Sequence, residues 1–333
     1  MTLVIRERRH KQALRLSLPK PPPTILSSDF PHQIHIPAVS PSTPSHVDSS
    51  PVVIKALSDL EKQAVIGHGN GGTVYKVYHK KSRSFYALKV LRLNENGIGI
   101  GIRQPAALEA EILKRVNSPY IVKCHAVFDH GICIEGDNGG DISFVMEYME
   151  GGSLHDVLRQ HRRLPEEVIS VLAKRVLQGL KYLQSMHVVH RDIKPSNLLV
   201  NDKGEVKIAD FGVSHVVEGK FEGSDDNAGT CAYMSPERVD PDRWSGANAD
   251  EFAGDVWSMG VVMLECLLGY FPLLGPGQKP DWATLMCAIC FGEKLEMPEK
   301  ASSQFQNFVR RCLEKDWRKR ATVFELLHHP FVS

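Results

Sequence analysis

His190-Arg191-Asp192-Ile193-Lys194-Pro195-Ser196-Asn197 sets a carboxylate, an ammonium and a carboxamide within six residues of one another. Transfer of a phosphoryl group to a hydroxyl needs a carboxylate near the incoming oxygen, a cation beside the terminal phosphate and an oxygen ligand for magnesium. Asp192, Lys194 and Asn197 supply these in order. Asp210-Phe211-Gly212 follows, 18 residues after Asp192, led in by the strand-like Glu205-Val-Lys-Ile-Ala209. Its aspartate is a hard oxygen ligand for the same cation. Alone, the tripeptide is common; at this distance from such an octapeptide it is not.

A second group lies upstream. Gly67-His-Gly69-Asn-Gly71-Gly72-Thr-Val74 ends one predicted strand and starts the next. The GxGxxG pattern also fits a dinucleotide fold, and glycines in a hairpin can mean only tight turning. A dinucleotide loop leads into a helix, however, and this one leads into a strand, as a hairpin laid over phosphates does. The next strand carries Ala87-Leu88-Lys89-Val90. A mid-strand lysine is most often an outward-facing charge; behind a glycine hairpin it reads as the ammonium that holds the α- and β-phosphates. It then needs an acid to orient it. Ala107-Leu-Glu109-Ala-Glu111-Ile-Leu113 offers two, of which Glu109 shares a helix face with Ile112 and Leu113, while Glu111 reads as solvated.

These groups must be carried on two unlike bodies. Thr73-Val-Tyr-Lys-Val-Tyr-His79 and Ser84-Phe-Tyr-Ala-Leu-Lys-Val-Leu91 are rich in β-branched and aromatic residues and predict an antiparallel pair. After Pro165, Glu166 and Glu167, a helix start, the residues Val168, Val171, Leu172, Val176, Leu177, Leu180 and Leu183 repeat at helical spacing. A strand-rich front third and a helix-rich remainder imply an α+β protein of two lobes with a cleft between them.

With the hairpin, lysine, octapeptide and Asp-Phe-Gly in this order, residues 58 to 331 resemble a eukaryotic protein kinase, with the bilobal fold of that family: an N-lobe over about 57–146 and a C-lobe over about 150–331. The closer resemblance is to mitogen-activated protein kinase kinases, within them to the plant group whose activation segment ends Gly229-Thr-Cys-Ala-Tyr-Met-Ser-Pro-Glu-Arg238. Asn117-Ser-Pro-Tyr-Ile-Val122 and Gly254-Asp255-Val-Trp257-Ser-Met-Gly260 support it. The resemblance implies ATP and Mg2+ as cofactors, the nucleotide held by Gly67, Gly69, Gly72, Val74, Ala87 and Lys89, the gatekeeper Met146, a hinge from Glu147 to Met149 and Leu199 beneath the adenine. It implies Asp192, Lys194, Lys89 and Glu109 as catalytic residues and Asn197 and Asp210 as metal ligands. It further implies Asp255 anchoring the catalytic loop, Glu237 paired with Arg320, Thr230 paired with Lys194, and dual specificity for threonine and tyrosine in a mitogen-activated protein kinase.

Outside that region, composition shifts. Residues 1–20 hold Arg6, Arg8, Arg9, Lys11, Arg15 and Lys20 against Glu7 alone, a local +5; with +1 for the whole chain, the rest carries about −4. Nine of the 20 prolines lie in residues 17–51, too little apolar surface to offset ordering, so residues 1–56 are expected to be a disordered arm. Arg8, Arg9, Lys11, Leu14, Leu16 and Leu18 resemble the docking peptide by which such kinases hold their substrate kinases; a solvated end and an arginine-rich transit peptide are the alternatives. An upstream mitogen-activated protein kinase kinase kinase is a further implied partner. Overall charge gives no drive toward nucleic acid. No apolar run approaches the roughly 18–20 residues that span a bilayer. A soluble monomer of the cytoplasm, compatible with nuclear entry, is therefore expected. Seven scattered cysteines read as reduced thiols; Cys287 and Cys290 form a lone CxxC whose neighbours Trp282, Leu285, Met286, Ile289 and Phe291 suggest a buried amphipathic helix rather than a metal site.

One departure stands out. The regulatory hydroxyls expected four and ten residues before Thr230 are here Asp226 and Lys220, with Ser224 out of register and Glu222 and Asp225 nearby. Phosphorylation adds about −1.5 to −2 charges and three acceptor oxygens. An aspartate mimics it only partly, and Arg191 is the cation to be satisfied. Two readings follow: an active kinase whose loop is held by its own acids, or a weakly catalytic docking scaffold for its partner kinases. "DHGICIEGDNGGD", Asp129 to Asp141, is expected to be an exposed hairpin loop.

Overall fold

The computed structural model describes residues 54–69, 72–91, 100–129, 141–216, 231–244, 249–274, 282–292, 295 and 297–333. The arm expected to be disordered, up to residue 53, with its docking peptide, the segment from Lys220 to Asp226, Thr230, and the interior of the Asp129–Asp141 loop lie outside the described residues. Ile54, expected within that arm, is instead buried with Val77, Tyr86, Leu88 and Val145, so the folded body begins earlier than residue 57.

Strands β1 (Leu60–Gly69), β2 (Gly72–His79) and β3 (Ser84–Leu91) form an antiparallel meander. Helix α1 (Ile100–Arg115) crosses from β3 to β4 (Cys124–Asp129), which pairs with β5 (Ile142–Glu147). The sheet order is β1-β2-β3-β5-β4, so β3 is central. That position explains its sequence: Tyr86, Ala87, Leu88 and Lys89 are buried in a continuous run, as a strand covered on both faces requires. The expected strand pair is β2 and β3, closed at His79 opposite Ser84, with Arg83 in the left-handed region at the turn (φ 54°). Register slips between Lys62 and Ala64 and between Val65 and Gly67 bend β1 where the glycine hairpin begins. Glycine at 72 lets the strands close up: a Cβ there would stand 2.6 Å from Leu91 Cδ2 and 2.9 Å from the carbonyl oxygen of Val90, and β3 would have to shift to admit it.

The second body is helical. Helix α2 (Leu154–His161) starts with a capping box between Ser153 and Asp156. Helix α3 (Glu166–Ser185) starts at Pro165 with two glutamates in its first turn, where the helix dipole favours them. Its inward face is Ile169, Leu172, Ala173, Val176, Leu177, Leu180 and Leu183. Val168 and Val171, which share the apolar spacing, fall outside the buried stripe and are exposed. The short strands β6 (Val188–Val189), β7 (Leu198–Val200), β8 (Val206–Ile208) and β9 (His215–Val216) follow. Then come α4 (Pro236–Val239), α5 (Pro241–Trp244), α6 (Glu251–Leu268), α7 (Trp282–Met286), α8 (Ser303–Cys312) and α9 (Val323–Leu327). Helix α6 is the buried axis of this body. A Cβ at its Gly260 would meet Cys312 Cβ at 2.6 Å, so glycine sets the close approach of α8.

The expected helix around the CxxC needs correction. Helix α7 passes into a π-helical turn over Cys287–Phe291, and Leu285, Ile289 and Cys290 are buried against Trp257 and Val261. Trp282, Cys287 and Phe291 face outward, so the segment is half-buried and its two thiols differ in environment. Among the described residues, no helix is long and apolar enough to cross a membrane.

Candidate active site

The loop from His190 to Asn197 leaves β6 and re-enters the fold at β7. Proline at the first position of the 3-10 turn Pro195–Asn197 pre-sets its φ. From below, Asp255 of α6 accepts the backbone N–H groups of His190 and Arg191, each at 2.8 Å. Burial pushes the Asp255 carboxyl above its ordinary range, against these two donors and the charges of His190 and Arg238. Arg191 sits in the left-handed region (φ 67°), a conformation a non-glycine residue keeps only where its surroundings hold it. Arg238 Nη1 donates to the Arg191 carbonyl at 2.8 Å, fixing the same residue from another side.

That scaffold presents Asp192, which is buried. Lys194 Nζ lies 2.7 Å from Asp192 Oδ2. Asn197 Nδ2 donates to both the carbonyl and Oδ2 of Asp192, each at 2.9 Å. Octapeptide spacing has become one cluster.

Across the cleft, Lys89 of β3 joins both bodies. Its ammonium donates to Glu109 Oε1 of α1 at 2.6 Å and to Asp210 Oδ1 at 2.7 Å. Of the two carboxylates on α1, Glu109 is buried on the lysine, while Glu111 is exposed and lies 3.9 Å from Arg115. Burial alone would lower the Lys89 pKa; the charges of Asp210 and Glu109 outweigh it and hold the ammonium above its ordinary value. Burial raises Glu109 despite Lys89, whereas Lys89 overcomes burial at Asp210 and keeps that carboxyl low. Asp210 adopts φ 66°, and the following Phe211 packs edge-on against His190 at 5.1 Å.

Between these groups lies an apolar shelf. Val122, Met149 and Ala209 form one cluster with Met146 and Leu199 packed against it, and Ala87 pairs with Met146 across β3 and β5. Val74 faces Gly67 across the β1–β2 hairpin, and Gly69 faces Gly72. The Glu147 carboxylate accepts from Lys207 Nζ at 2.6 and 2.8 Å and from Lys123 N at 3.2 Å. Its side chain is therefore engaged, as is its backbone N–H, which donates to the Lys123 carbonyl at 2.8 Å. Further down, Glu237 and Arg320 form a doubly hydrogen-bonded pair at 2.7 and 2.8 Å.

Comparison with known proteins decides which family owns this geometry. A protein kinase domain model matches residues 60–332. Over 333 residues the chain is 53% identical to mitogen-activated protein kinase kinase 10 of Arabidopsis thaliana, covering 100% of this chain and 99% of that one. Mitogen-activated protein kinase kinases 9 and 7 of the same plant are 46% and 42% identical, covering 99% and 97% of this chain and 98% and 97% of theirs. The chain belongs to the plant mitogen-activated protein kinase kinase family.

For this kinase, family membership implies ATP and a divalent cation. The donor chemistry fits. Asn197 directs its amide nitrogen to Asp192, which leaves the carboxamide oxygen for a cation, and Asp210 keeps a low pKa and about a third of its side chain exposed (35%). Among the described residues, no group of three or more His, Cys, Asp or Glu could hold a metal alone. One carboxylate and one carboxamide suit magnesium shared with phosphates, not a protein-only cage.

Three contacts of the kinase went unread in its sequence. Arg191 Nη2 donates to Glu251 Oε2 at 2.6 Å, so a partner for this arginine is found on α6. Arg238 supports the catalytic loop, and the Tyr233 hydroxyl donates to Glu265 Oε2 at 2.6 Å. The four-residue spacing of Glu251 and Asp255 was the available signal, since it places both on one helix face.

Proposed function

We propose that the chain is a catalytically competent mitogen-activated protein kinase kinase that phosphorylates threonine and tyrosine in the activation loop of a mitogen-activated protein kinase. The observation that carries this reading is the joining of Lys89, Glu109 and Asp210 opposite a buried Asp192 already gripped by Lys194 and Asn197.

In this reading Asp192 accepts the proton of the substrate hydroxyl as its oxygen bonds to the γ-phosphorus of ATP and the bond to the ADP oxygen breaks. Lys194 neutralises the γ-phosphoryl oxygens, and Lys89, oriented by Glu109, steadies the α- and β-phosphates. The Gly67–Val74 hairpin covers the phosphates, and Ala87, Met146, Met149 and Leu199 enclose the adenine, with hinge backbone from Glu147 to Met149 as its hydrogen-bonding edge. Magnesium, held by Asp210 and Asn197, would supply charge neutralisation along the phosphates. The basic arm with Arg8, Arg9, Lys11, Leu14, Leu16 and Leu18 holds the substrate kinase and raises its effective concentration. The kinase works as a soluble monomer of the cytoplasm, with access to the nucleus, below a kinase of the next tier up.

A docking scaffold with little catalysis is the second reading, favoured by Lys220 and Asp226 where hydroxyls are expected. One assay separates them. Recombinant chain and its Asp192→Asn variant are given ATP, magnesium and a catalytically disabled mitogen-activated protein kinase, and phosphosites are mapped by mass spectrometry. Incorporation on loop threonine and tyrosine by the first protein alone is expected; equal incorporation by both would favour the scaffold.

A further inference from the structure

Arg191 is held at three points, two of them from one turn of α6. Asp255 accepts its backbone N–H, and Glu251, four residues earlier on the same face, accepts its guanidinium at 2.6 Å. The third is Arg238, whose guanidinium donates to the Arg191 carbonyl. The next residue in the chain is Asp192, so the backbone torsions of Arg191 aim the carboxylate that would take the substrate proton.

Charge explains why Glu251 matters. Arg191 and Arg238 bring two guanidinium groups to one short loop, and a carboxylate gives the Arg191 guanidinium a charge-assisted hydrogen bond, roughly twice as strong as a neutral one, to hold it there. In the family pattern the chain resembles, that anion comes from phosphorylated hydroxyls, for which this chain has Lys220 and Asp226. Glu251 brings a full negative charge from a different place. It stands in the first turn of an 18-residue helix, behind the Asp250 cap, where the dipole favours a carboxylate. The anion is thus part of the scaffold and needs no ordering of a loop.

We propose that Glu251 is the resident counter-ion of Arg191, a positioning residue that holds the catalytic loop and Asp192 in place without a phosphate from the activation segment. The inference rests on the kinase reading and deepens it: activity is set by the fold, and upstream phosphorylation adds little. Because the pair is only partly buried, with 20% and 36% of its side chains exposed, a stronger anion could replace Glu251. Such an anion would exchange one partner for another.

The test uses the unphosphorylated full-length chain, Glu251→Gln, Glu251→Asp, Arg191→Ala, the double variant Arg191→Ala/Glu251→Gln, and Asp192→Asn as the blank. Two quantities are measured: steady-state phosphorylation of a disabled mitogen-activated protein kinase, and amide hydrogen exchange in the peptide spanning residues 188–194. Glu251→Gln is expected to lower kcat about tenfold, the effect of losing one charge-assisted contact, with KM for ATP within about twofold. It should also speed exchange in that peptide. Glu251→Asp recovers part of both, and the double variant is no worse than Arg191→Ala, because the two residues act as one unit. Unchanged kcat and unchanged exchange in Glu251→Gln would overturn the proposal, as would strictly additive losses in the double variant. Should Glu251→Gln fail to fold, Glu251→Asp carries the same two readouts. A wild-type chain no better than Asp192→Asn, with the exchange difference intact, overturns the kinase reading and leaves the counter-ion standing.

Discussion

Two arginine–glutamate pairs hold the helical body's functional segments, and they are built to opposite specifications. Arg320 and Glu237 are sealed, with 0% and 3% of their side chains exposed, and Arg320 also donates to the carbonyls of Ala253, Glu314 and Lys315. Arg191 and Glu251 meet through a single hydrogen bond, on a rim open to water. A sealed pair is set permanently: breaking it strands a charge in the interior. An open pair contributes little to folding but fixes where a backbone points. The difference teaches that the same two residue types serve stability in one place and catalytic alignment in the other, and that burial, not identity, decides which.

The comparison can be broken from either side. The largest effect is expected at the sealed pair: Arg320→Ala should cost about 3–5 kcal/mol, read by urea unfolding, because Glu237 is left charged and buried. A loss under about 1 kcal/mol would put the two pairs in one class. Next comes Lys89→Met, which removes the cation shared by Glu109 and Asp210. Its kcat/KM for ATP should drop by about 10²–10³, with unfolding that stays cooperative. At the open pair, Glu251→Gln should leave stability within about 1 kcal/mol of wild type in the same urea titration while activity falls. If stability collapses instead, the pair is structural and the contrast disappears.

The smallest effect is a pH dependence. Burial raises the Glu265 carboxyl above its ordinary 4.5, although the Tyr233 hydroxyl donates to it. A carboxyl raised on folding stabilises most when protonated, so its contribution is present below about pH 4.5 and is lost as pH rises through the folded value. Glu265→Gln cannot ionise. Its stability relative to wild type should therefore grow from pH 5 toward pH 8, levelling off once the wild-type carboxyl is fully ionised. A gap that stays flat across that range would show that burial does not raise this acid.

Much of this is legible in the sequence. The β2–β3 hairpin and α3 follow from alternation and helical spacing, and Lys89, Asp192, Lys194, Asn197 and Asp210 stand in short runs whose residue types dictate their chemistry. The choice of Glu109 over Glu111 is legible for a simple reason: only one of them shares a face with buried Ile112 and Leu113. What local sequence could not supply were contacts set by the crossing of distant elements. Arg191 meets Glu251 sixty residues away, and Tyr233 meets Glu265 thirty-two away. The outward turn of Val168, Val171, Trp282 and Phe291 was hidden for the converse reason. Apolar residues at helical spacing do not say how wide the buried stripe will be.

The central claim is that the phosphoryl-transfer centre stands assembled on the chain's own charges. The most direct measurement compares kcat of the kinase purified from plant cells before and after exhaustive phosphatase treatment, with Asp192→Asn as baseline. The account predicts that the two values agree within about twofold and that both lie far above the baseline. A treated enzyme that falls to the Asp192→Asn level would contradict it, and would return control of Arg191 to a phosphate.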